Sequence, residues 1–280
     1  MSSLSRPLLG ALIALLAPIA TAGPEARPEI RLWRLDCGQL WIANLDDMSD
    51  TRAYVGRSKQ LAASCYLIRH GESYLLWDTG LPRTALGKPL SRGDSDSESL
   101  SVTIVDQLAK IGVRPAQVKF LGISHFHFDH LGQAAEFPHA TLLMGEDDLD
   151  LLARPGQEER AKRLAPWLQG GARIHRVNRD HDVFGDGTVV MLDLPGHTPG
   201  HHGLMVQLAK AGPVLLSGDV AHFRENLESS GVPSFNLDRA QSLASMDRFT
   251  ALARNLRATV VIQHEIQDIA KLPPFPAAAE

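Results

Sequence analysis

Four side chains that can bind a metal ion stand within six positions of this chain, in the segment 125–130 (His-Phe-His-Phe-Asp-His). The residues just before them, 119–124, predict a short buried strand that ends at the cluster. Three imidazoles and a carboxylate do not suit a packed core, because buried polar groups need partners. They are donors that Zn²⁺ prefers. The chain must therefore fold so that a cation site closes around His125, His127, Asp129 and His130.

Three further metal-type side chains each follow a predicted strand. They are His197 after strand 188–194, Asp219 after strand 213–217, and His264 after strand 259–263. Strand ends are where a β-sandwich presents its loop residues together at one edge. We therefore expect all seven side chains to meet there, in a site for two metal ions rather than one.

The rest of the pattern predicts two β-rich blocks with helices. Residues 64–70 and 73–78 form a hairpin, a helix ends near Gly112, and 203–208 adds a strand to the second block. Asp238 is predicted to cap a later helix. One face of that helix carries Leu243, Met246, Phe249, Ala253 and Leu256. The order of these elements favours two packed sheets with helices outside.

The charge of the chain gives no support to a nucleic-acid partner. The 280 residues include 28 basic and 32 acidic side chains, and the formal net charge is −4. Binding a polyanion would need a local basic stripe, and the sequence has none. No feature of the sequence indicates an oligomeric state.

The first 22 residues have the features of a secretory signal peptide. A single charge at Arg6 precedes the apolar stretch 8–20, and small residues at 20–22 form a cleavage pattern. Cleavage after Ala22 leaves one domain, 23–280, in the periplasm or outside the cell and without stable membrane association. A single membrane anchor is the alternative, although the apolar stretch is shorter than the roughly 20 residues that span a bilayer.

Cys37 and Cys65 are the only cysteines. An exported chain can oxidise its thiols, so a disulfide is one interpretation. Two buried thiols in strands are the other, because the sequence does not show whether the two Cα atoms lie within bonding range.

The motif at 125–130, with the three downstream ligands, resembles the metallo-β-lactamase superfamily. This resemblance implies an α+β fold, the αββα sandwich, and a hydrolytic site with two Zn²⁺ ions, although other divalent transition metals would suit the same donors. Its first ion would be held by His125, His127 and His197. Its second ion would be held by Asp129, His130 and His264, and Asp219 would bridge the two. Asp78, in the segment 76–80, resembles the family's early Asp-Thr-Gly turn and would orient a ligand.

Within the superfamily, the segments 218–228 and 66–70 are similar to the N-acyl homoserine lactonases. That resemblance implies a small-molecule lactone substrate, opened by a hydroxide that bridges the two metals, with Asp129 passing a proton to the leaving group. The best-known lactonases have tyrosine three positions after the bridging aspartate, whereas this chain has His222. A neutral imidazole at this position could donate a hydrogen bond to the substrate carbonyl.

Two other functions are kept as alternatives. One is a β-lactam-hydrolysing enzyme or another ester hydrolase of the same fold, and the other is a zinc-dependent scaffold without turnover. His201 and His202 exceed the ligand pattern and are predicted to be structural. The polar run 91–98 predicts a solvated loop or a mobile flap. Contacts with the acyl chain are expected from loops in 46–62, 91–100 and 224–236.

Overall fold

Two β-sheets lie face to face at the centre of the protein, in a computed structural model that describes residues 28–280. The predicted leader, residues 1–22, lies outside the described residues. The first sheet contains β1 (Ile30–Ile42), β2 (Lys59–His70), β3 (Ser73–Trp77), β4 (Ser97–Ser99), β5 (Val118–Ile123), β6 (Thr141–Gly145) and β7 (Ile174–Val177). The second contains β8 (His181–Asp182), β9 (Val189–Asp193), β10 (His202–Leu208), β11 (Gly212–Leu216) and β12 (Thr259–Val261).

The first sheet has the strand order β4-β1-β2-β3-β5-β6-β7. The strands from β4 to β3 are antiparallel, and β3, β5, β6 and β7 are parallel. The register of β1 against β2 shifts between Asp36 and Gln39, where a bulge interrupts the ladder. The predicted hairpin is present as β2 and β3. The prediction of a loop over 91–98 is wrong for its last two residues, because β4 begins at Ser97 and pairs with β1.

The second sheet has the order β12-β11-β10-β9-β8. Strand β11 is parallel to β12, whereas β10 is antiparallel to both β9 and β11. Strands β9, β11 and β12 therefore run in the same direction. Their carboxyl ends lie at one edge of the sheet, and this edge carries the segments with His197, Asp219 and His264.

Eight α-helices complete the outer layers. They are α1 (Ile104–Lys110), α2 (Phe128–Leu131), α3 (Glu146–Leu152), α4 (Glu158–Ala161), α5 (Ala165–Leu168), α6 (Arg224–Ser229), α7 (Arg239–Leu256) and α8 (Ile266–Ile269) among the described residues. The side chain of Asp238 caps α7 by accepting a hydrogen bond from Gln241 N, as predicted. Leu256, expected on the buried face of α7, is 39% exposed because it stands in the last turn.

Apolar side chains fill three layers of this stack. The layer between the sheets joins residues of both, including Trp77 and Ile68 from the first sheet and Leu204 and Val214 from the second. A second layer packs the outer face of the first sheet against α1 and α3. A third packs the second sheet against α7, through Met246, Phe249 and their neighbours. The predicted αββα sandwich, an α+β fold, is confirmed.

Cys37 and Cys65 form a disulfide between β1 and β2. Both sulfurs are fully buried, so the sequence alternative of two free buried thiols is excluded. Among residues 28–280, none of the helices has the length and apolar character needed to cross a bilayer.

The disulfide should contribute measurably to stability, because it closes a loop with a sequence separation of 28 residues. Loop-closure entropy predicts that Cys37→Ala/Cys65→Ala lowers the free energy of unfolding by about 3–4 kcal/mol, measured by urea denaturation. A reductant should lower the stability of the parent and leave the double variant unchanged. Equal stability of the parent and the double variant would contradict this.

Candidate metal centre

Three imidazoles from two sheets converge on one point. His125 and His127 follow β5, and His197 follows β9. The Nε2 atom of His197 lies 3.1 Å from Nε2 of His125 and 3.0 Å from Nδ1 of His127. Asp219 adds a carboxylate oxygen, Oδ2, at 3.4 Å from the same atom of His197. These four side chains each offer a ligand atom within 4.8 Å of the others.

A second group lies on the other side of the same carboxylate. Asp129 and His130 come from the segment after β5, and His264 follows β12. The Nε2 atoms of His130 and His264 lie 3.3 Å apart. Oδ1 of Asp219 lies 3.3 Å from the first of these atoms and 3.0 Å from the second. The structure thus brings together all seven side chains that the sequence singled out, with Asp219 between the two groups.

The surroundings of the Asp219 carboxylate show whether a metal ion fits this site. Its side chain is 3% exposed, and Oδ1 has no hydrogen-bond partner among the described residues. A buried carboxylate oxygen that accepts no hydrogen bond is costly, and a cation would remove that cost. Donors bound at about 2.0–2.1 Å to a tetrahedral zinc lie about 3.3–3.4 Å apart, and the contacts within each group are similar. The residues therefore fit a metal cofactor.

Most of the predicted ligand imidazoles are held through the ring nitrogen that faces away from the centre. Nδ1 of His130 donates to Asp78 Oδ2 at 2.9 Å, and Nδ1 of His264 donates to the Ala62 carbonyl at 2.6 Å. Nδ1 of His197 donates to Asn236 Oδ1 at 2.8 Å. A proton fixed on Nδ1 leaves the Nε2 lone pair free, which is the arrangement that metal-binding histidines need.

Asp78, expected from the family resemblance to orient a ligand, lies at the centre of a buried network. Its backbone is left-handed, with φ 57°, which costs about 1–2 kcal/mol for a residue with a Cβ. The strained turn lets the carboxylate accept hydrogen bonds from Ser124 N and Oγ, from His130 and from Gln263 Nε2. Because Gln263 follows β12, this network also connects the second sheet to the first.

His201 supports Asp219 through the backbone. Its Nδ1 donates to the Leu194 carbonyl at 2.9 Å, and its Nε2 accepts a hydrogen bond from Asp219 N at 2.7 Å. His202 Nδ1 bonds the Gly200 carbonyl. Both side chains are outside the two donor groups, in agreement with the structural role predicted for them.

Asn236 and Gln263 were not predicted from the sequence. Asn236 lies 39 positions after the histidine that it contacts, and no motif marks it. Gln263 directly precedes His264, and this adjacency was the one available signal.

Burial sets the charge of the first group. It lowers the pKa of His127 to about 4 and the pKa values of His125 and His197 well below their ordinary value. These imidazoles are therefore neutral near pH 7. At His130 and His264 burial acts in the same direction, but the carboxylates of Asp219 and Asp129, joined at His130 by Asp78, together outweigh it and raise both pKa values. A metal ion would replace the protons that these carboxylates attract.

The two groups open into a cavity of about 450 Å³. Its apolar wall includes Leu40, Trp41, Ile42, Met48, Leu61, Phe128 and Phe235. Segments 46–62, 91–100 and 224–236, where contacts with the acyl chain are expected, all contribute lining residues, although they include parts of β2, β4 and α6 besides loops. The contribution of β1 was not predicted.

His222 also lines this cavity, and its side chain is 5% exposed. Its Nε2 lies 3.2 Å from Asp219 Oδ2, while Nδ1 is buried without a hydrogen-bond partner in the described part of the chain. The ring lies against Phe235, with centroids 5.7 Å apart. Of its two nitrogens, Nε2 is therefore the one directed toward the metal centre.

A family model for the metallo-beta-lactamase superfamily matches residues 59–264, which include all seven predicted ligands. The chain belongs to this superfamily. The N-acyl homoserine lactonase AttM of Azorhizobium caulinodans is 30% identical over 176 residues, which cover 58% of this chain and 63% of that relative. The match thus spans less than two thirds of the relative's length. An N-acyl homoserine lactonase of Bacillus sp is 28% identical over 233 residues, 79% of this chain and 88% of that protein.

Two solved structures share this fold. An N-acyl homoserine lactone hydrolase with N-hexanoyl-L-homoserine at its catalytic metal center has a TM-score of 0.75, with 22% identity, covering 90% of this chain and 100% of that one. The dizinc quorum-quenching lactonase AidC has a TM-score of 0.64 and 17% identity, covering 90% of each chain.

Asn236 should matter for metal binding because it fixes the ring of His197. We expect Asn236→Ala to weaken metal affinity about 10–100-fold, measured by competition with a chelator. Asn236→Asp is the matched control, since it keeps an oxygen acceptor for Nδ1, and it should retain most of the affinity. Equal loss in both variants would contradict the role of this hydrogen bond.

Proposed function

We propose that the protein is a hydrolase with two zinc ions that opens lactone rings, with N-acyl homoserine lactones as its substrates. The observation that carries this proposal is the convergence of seven ligand-type side chains beside an apolar cavity. The AttM and Bacillus relatives, which are N-acyl homoserine lactonases, support the same reaction. The complete donor set disfavours a scaffold without turnover, because a scaffold has no need to retain all of these ligands.

The walls of the cavity favour a neutral substrate with an acyl chain. Apolar side chains suit the chain, while the charged lining side chains apart from histidine are the carboxylates Asp96, Glu98, Asp129 and Asp219. β-Lactam antibiotics carry a carboxylate of their own, which Asp96 and Glu98, the two lining carboxylates outside the proposed ligand set, would repel. A lactone ring has no charge. The electrostatics therefore favour a lactone over a β-lactam.

Ring opening adds water across an ester bond. When bound, zinc supplies Lewis acidity, which activates water near neutral pH and polarises the ester carbonyl. The carbonyl carbon gains the water oxygen, the bond to the ring oxygen breaks, and this oxygen takes up a proton. One proton is released overall, because the new carboxylic acid ionises.

Asp129 is the proposed carrier of the proton that the ring oxygen takes up. Its carboxylate is 10% exposed, lines the cavity, and lies with Oδ2 3.6 Å from His264 Nε2. A carboxylate there can accept a proton from water and return it to the leaving oxygen. His222 is the proposed donor to the substrate carbonyl, through the nitrogen directed toward the metal centre.

Export to the periplasm or the exterior is part of the proposal. The buried Cys37–Cys65 disulfide supports it, because disulfides persist in oxidising compartments and are rare in the cytosol. Mass spectrometry of the protein isolated from its native host should find a mature chain that begins at Gly23. A cytosolic chain with its first 22 residues intact would contradict export.

The substrate proposal is tested with zinc-loaded protein of measured metal content. A long-chain N-acyl homoserine lactone should be hydrolysed, with acid release followed by a pH indicator, and a chromogenic cephalosporin should not. A chelator should abolish the activity and Zn²⁺ should restore it. Activity on the cephalosporin alone would overturn the lactonase proposal, and inactivity on a broad ester panel would favour the scaffold.

Two variants separate the roles of Asp129 and His222. Asp129→Asn should keep the fold and some metal yet lower kcat about 10²–10⁴-fold, because proton transfer is lost. His222→Phe keeps an aromatic ring against Phe235 and should lower kcat/KM about 10-fold with metal content unchanged, as one hydrogen bond is removed. Unchanged turnover in either variant would remove that residue from the mechanism.

A further inference from the structure

Asp148 is a buried carboxylate outside the metal centre and outside the cavity. It lies in the first turn of α3 and is 0% exposed. Burial raises its pKa to about 7, although neighbouring hydrogen bonds act in the opposite direction. Its hydrogen bonds come from uncharged groups. A carboxylate in such a place disfavours folding compared with an apolar side chain, so its role has to be found in what it contacts.

The carboxylate joins the two loops that carry the first donor group. Oδ2 accepts a hydrogen bond from the Thr198 hydroxyl at 2.8 Å, and Oδ1 accepts one from Gly200 N at 2.7 Å. Thr198 directly follows His197. The backbone N–H of Phe126, which lies between His125 and His127, also faces the carboxylate.

Close packing limits how near the loop after β9 can come to α3. A Cβ on Gly200 would lie 2.6 Å from Asp148 N, and a Cβ on Gly145 would lie 1.9 Å from the Gly200 carbonyl oxygen. The loop after β9 therefore rests directly on the start of α3. Steric contact stops it from approaching further, and the hydrogen bonds of Asp148 stop it from moving away.

We infer that Asp148 is a positioning residue for the metal centre, which fixes His197 relative to His125 and His127 so that the three imidazoles converge. It touches none of the three rings and acts through the backbone and Thr198. The inference rests on the proposed assignment of these three histidines to one metal ion.

The test compares Asp148→Ala with Asp147→Ala, which removes an exposed carboxylate from the same helical turn. Zinc affinity is measured by chelator competition, and the visible absorption of Co²⁺-loaded protein reports the ligand geometry. We expect Asp148→Ala to lower the affinity for the ion proposed at His125, His127 and His197 by about 10–100-fold. The Co²⁺ spectrum should change as well. Asp147→Ala should match the parent in both.

Two milder variants cover the case in which Asp148→Ala does not fold. Thr198→Val removes one donor, and Asp148→Asn keeps an acceptor for Gly200 N while its amide can donate to the Thr198 hydroxyl. We expect Thr198→Val to weaken zinc affinity and Asp148→Asn to weaken it less. If Thr198→Val and every folded Asp148 variant change only the melting temperature and leave both metal readouts at the parent's values, the inference is overturned.

His197→Ala separates this inference from the assignment on which it depends. Loss of one ion in His197→Ala with parent-like metal binding in Asp148→Ala would overturn the positioning role alone. Parent-like metal binding in His197→Ala would overturn the assignment of the ligands.

Discussion

The buried carboxylate of Asp219 is the constraint on which the rest of the site depends. Five imidazole nitrogens lie 3.0–3.6 Å from its two oxygens, on His125, His130, His197, His222 and His264. These histidines follow strands of both sheets, so the carboxylate stands at the seam of the sandwich. An anion buried this deeply needs a compensating charge. Metal binding therefore stabilises the packing of the two sheets, because it compensates a charge that is buried between them.

Residues outside the two donor groups orient the ligand side chains through hydrogen bonds. Asp78 holds His130 and is itself reached from the second sheet by Gln263. Asn236 holds the ring of His197, while Asp148 holds the loop that carries it. None of these contacts lies within a single element. The geometry of the metal centre thus depends on contacts between elements distant in sequence, which tolerate little displacement in a densely packed interior.

The sequence predicted the parts of this arrangement that are local. The cluster at 125–130 and the strand that precedes it are adjacent in the chain, and the three later ligands each follow a strand that apolar runs indicate. Asn236 and Asp148 were not predicted, because their partners lie 39 and 50 or more positions away and neither forms a motif. Strand β1 was not predicted for another reason. A bulge and burial on both faces remove the simple alternation of apolar and polar residues that marks a half-exposed strand. The disulfide could not be predicted either, because only the pairing of β1 with β2 shows that the two cysteines are neighbours.

A crystal structure of the zinc-loaded protein, with anomalous data collected at the zinc edge, tests the central claim most directly. The account predicts two anomalous peaks on opposite sides of the Asp219 carboxylate. One should lie among His125, His127 and His197, and the other among Asp129, His130 and His264. A single peak, or zinc bound elsewhere while Asp219 is satisfied by protein hydrogen bonds alone, would contradict it.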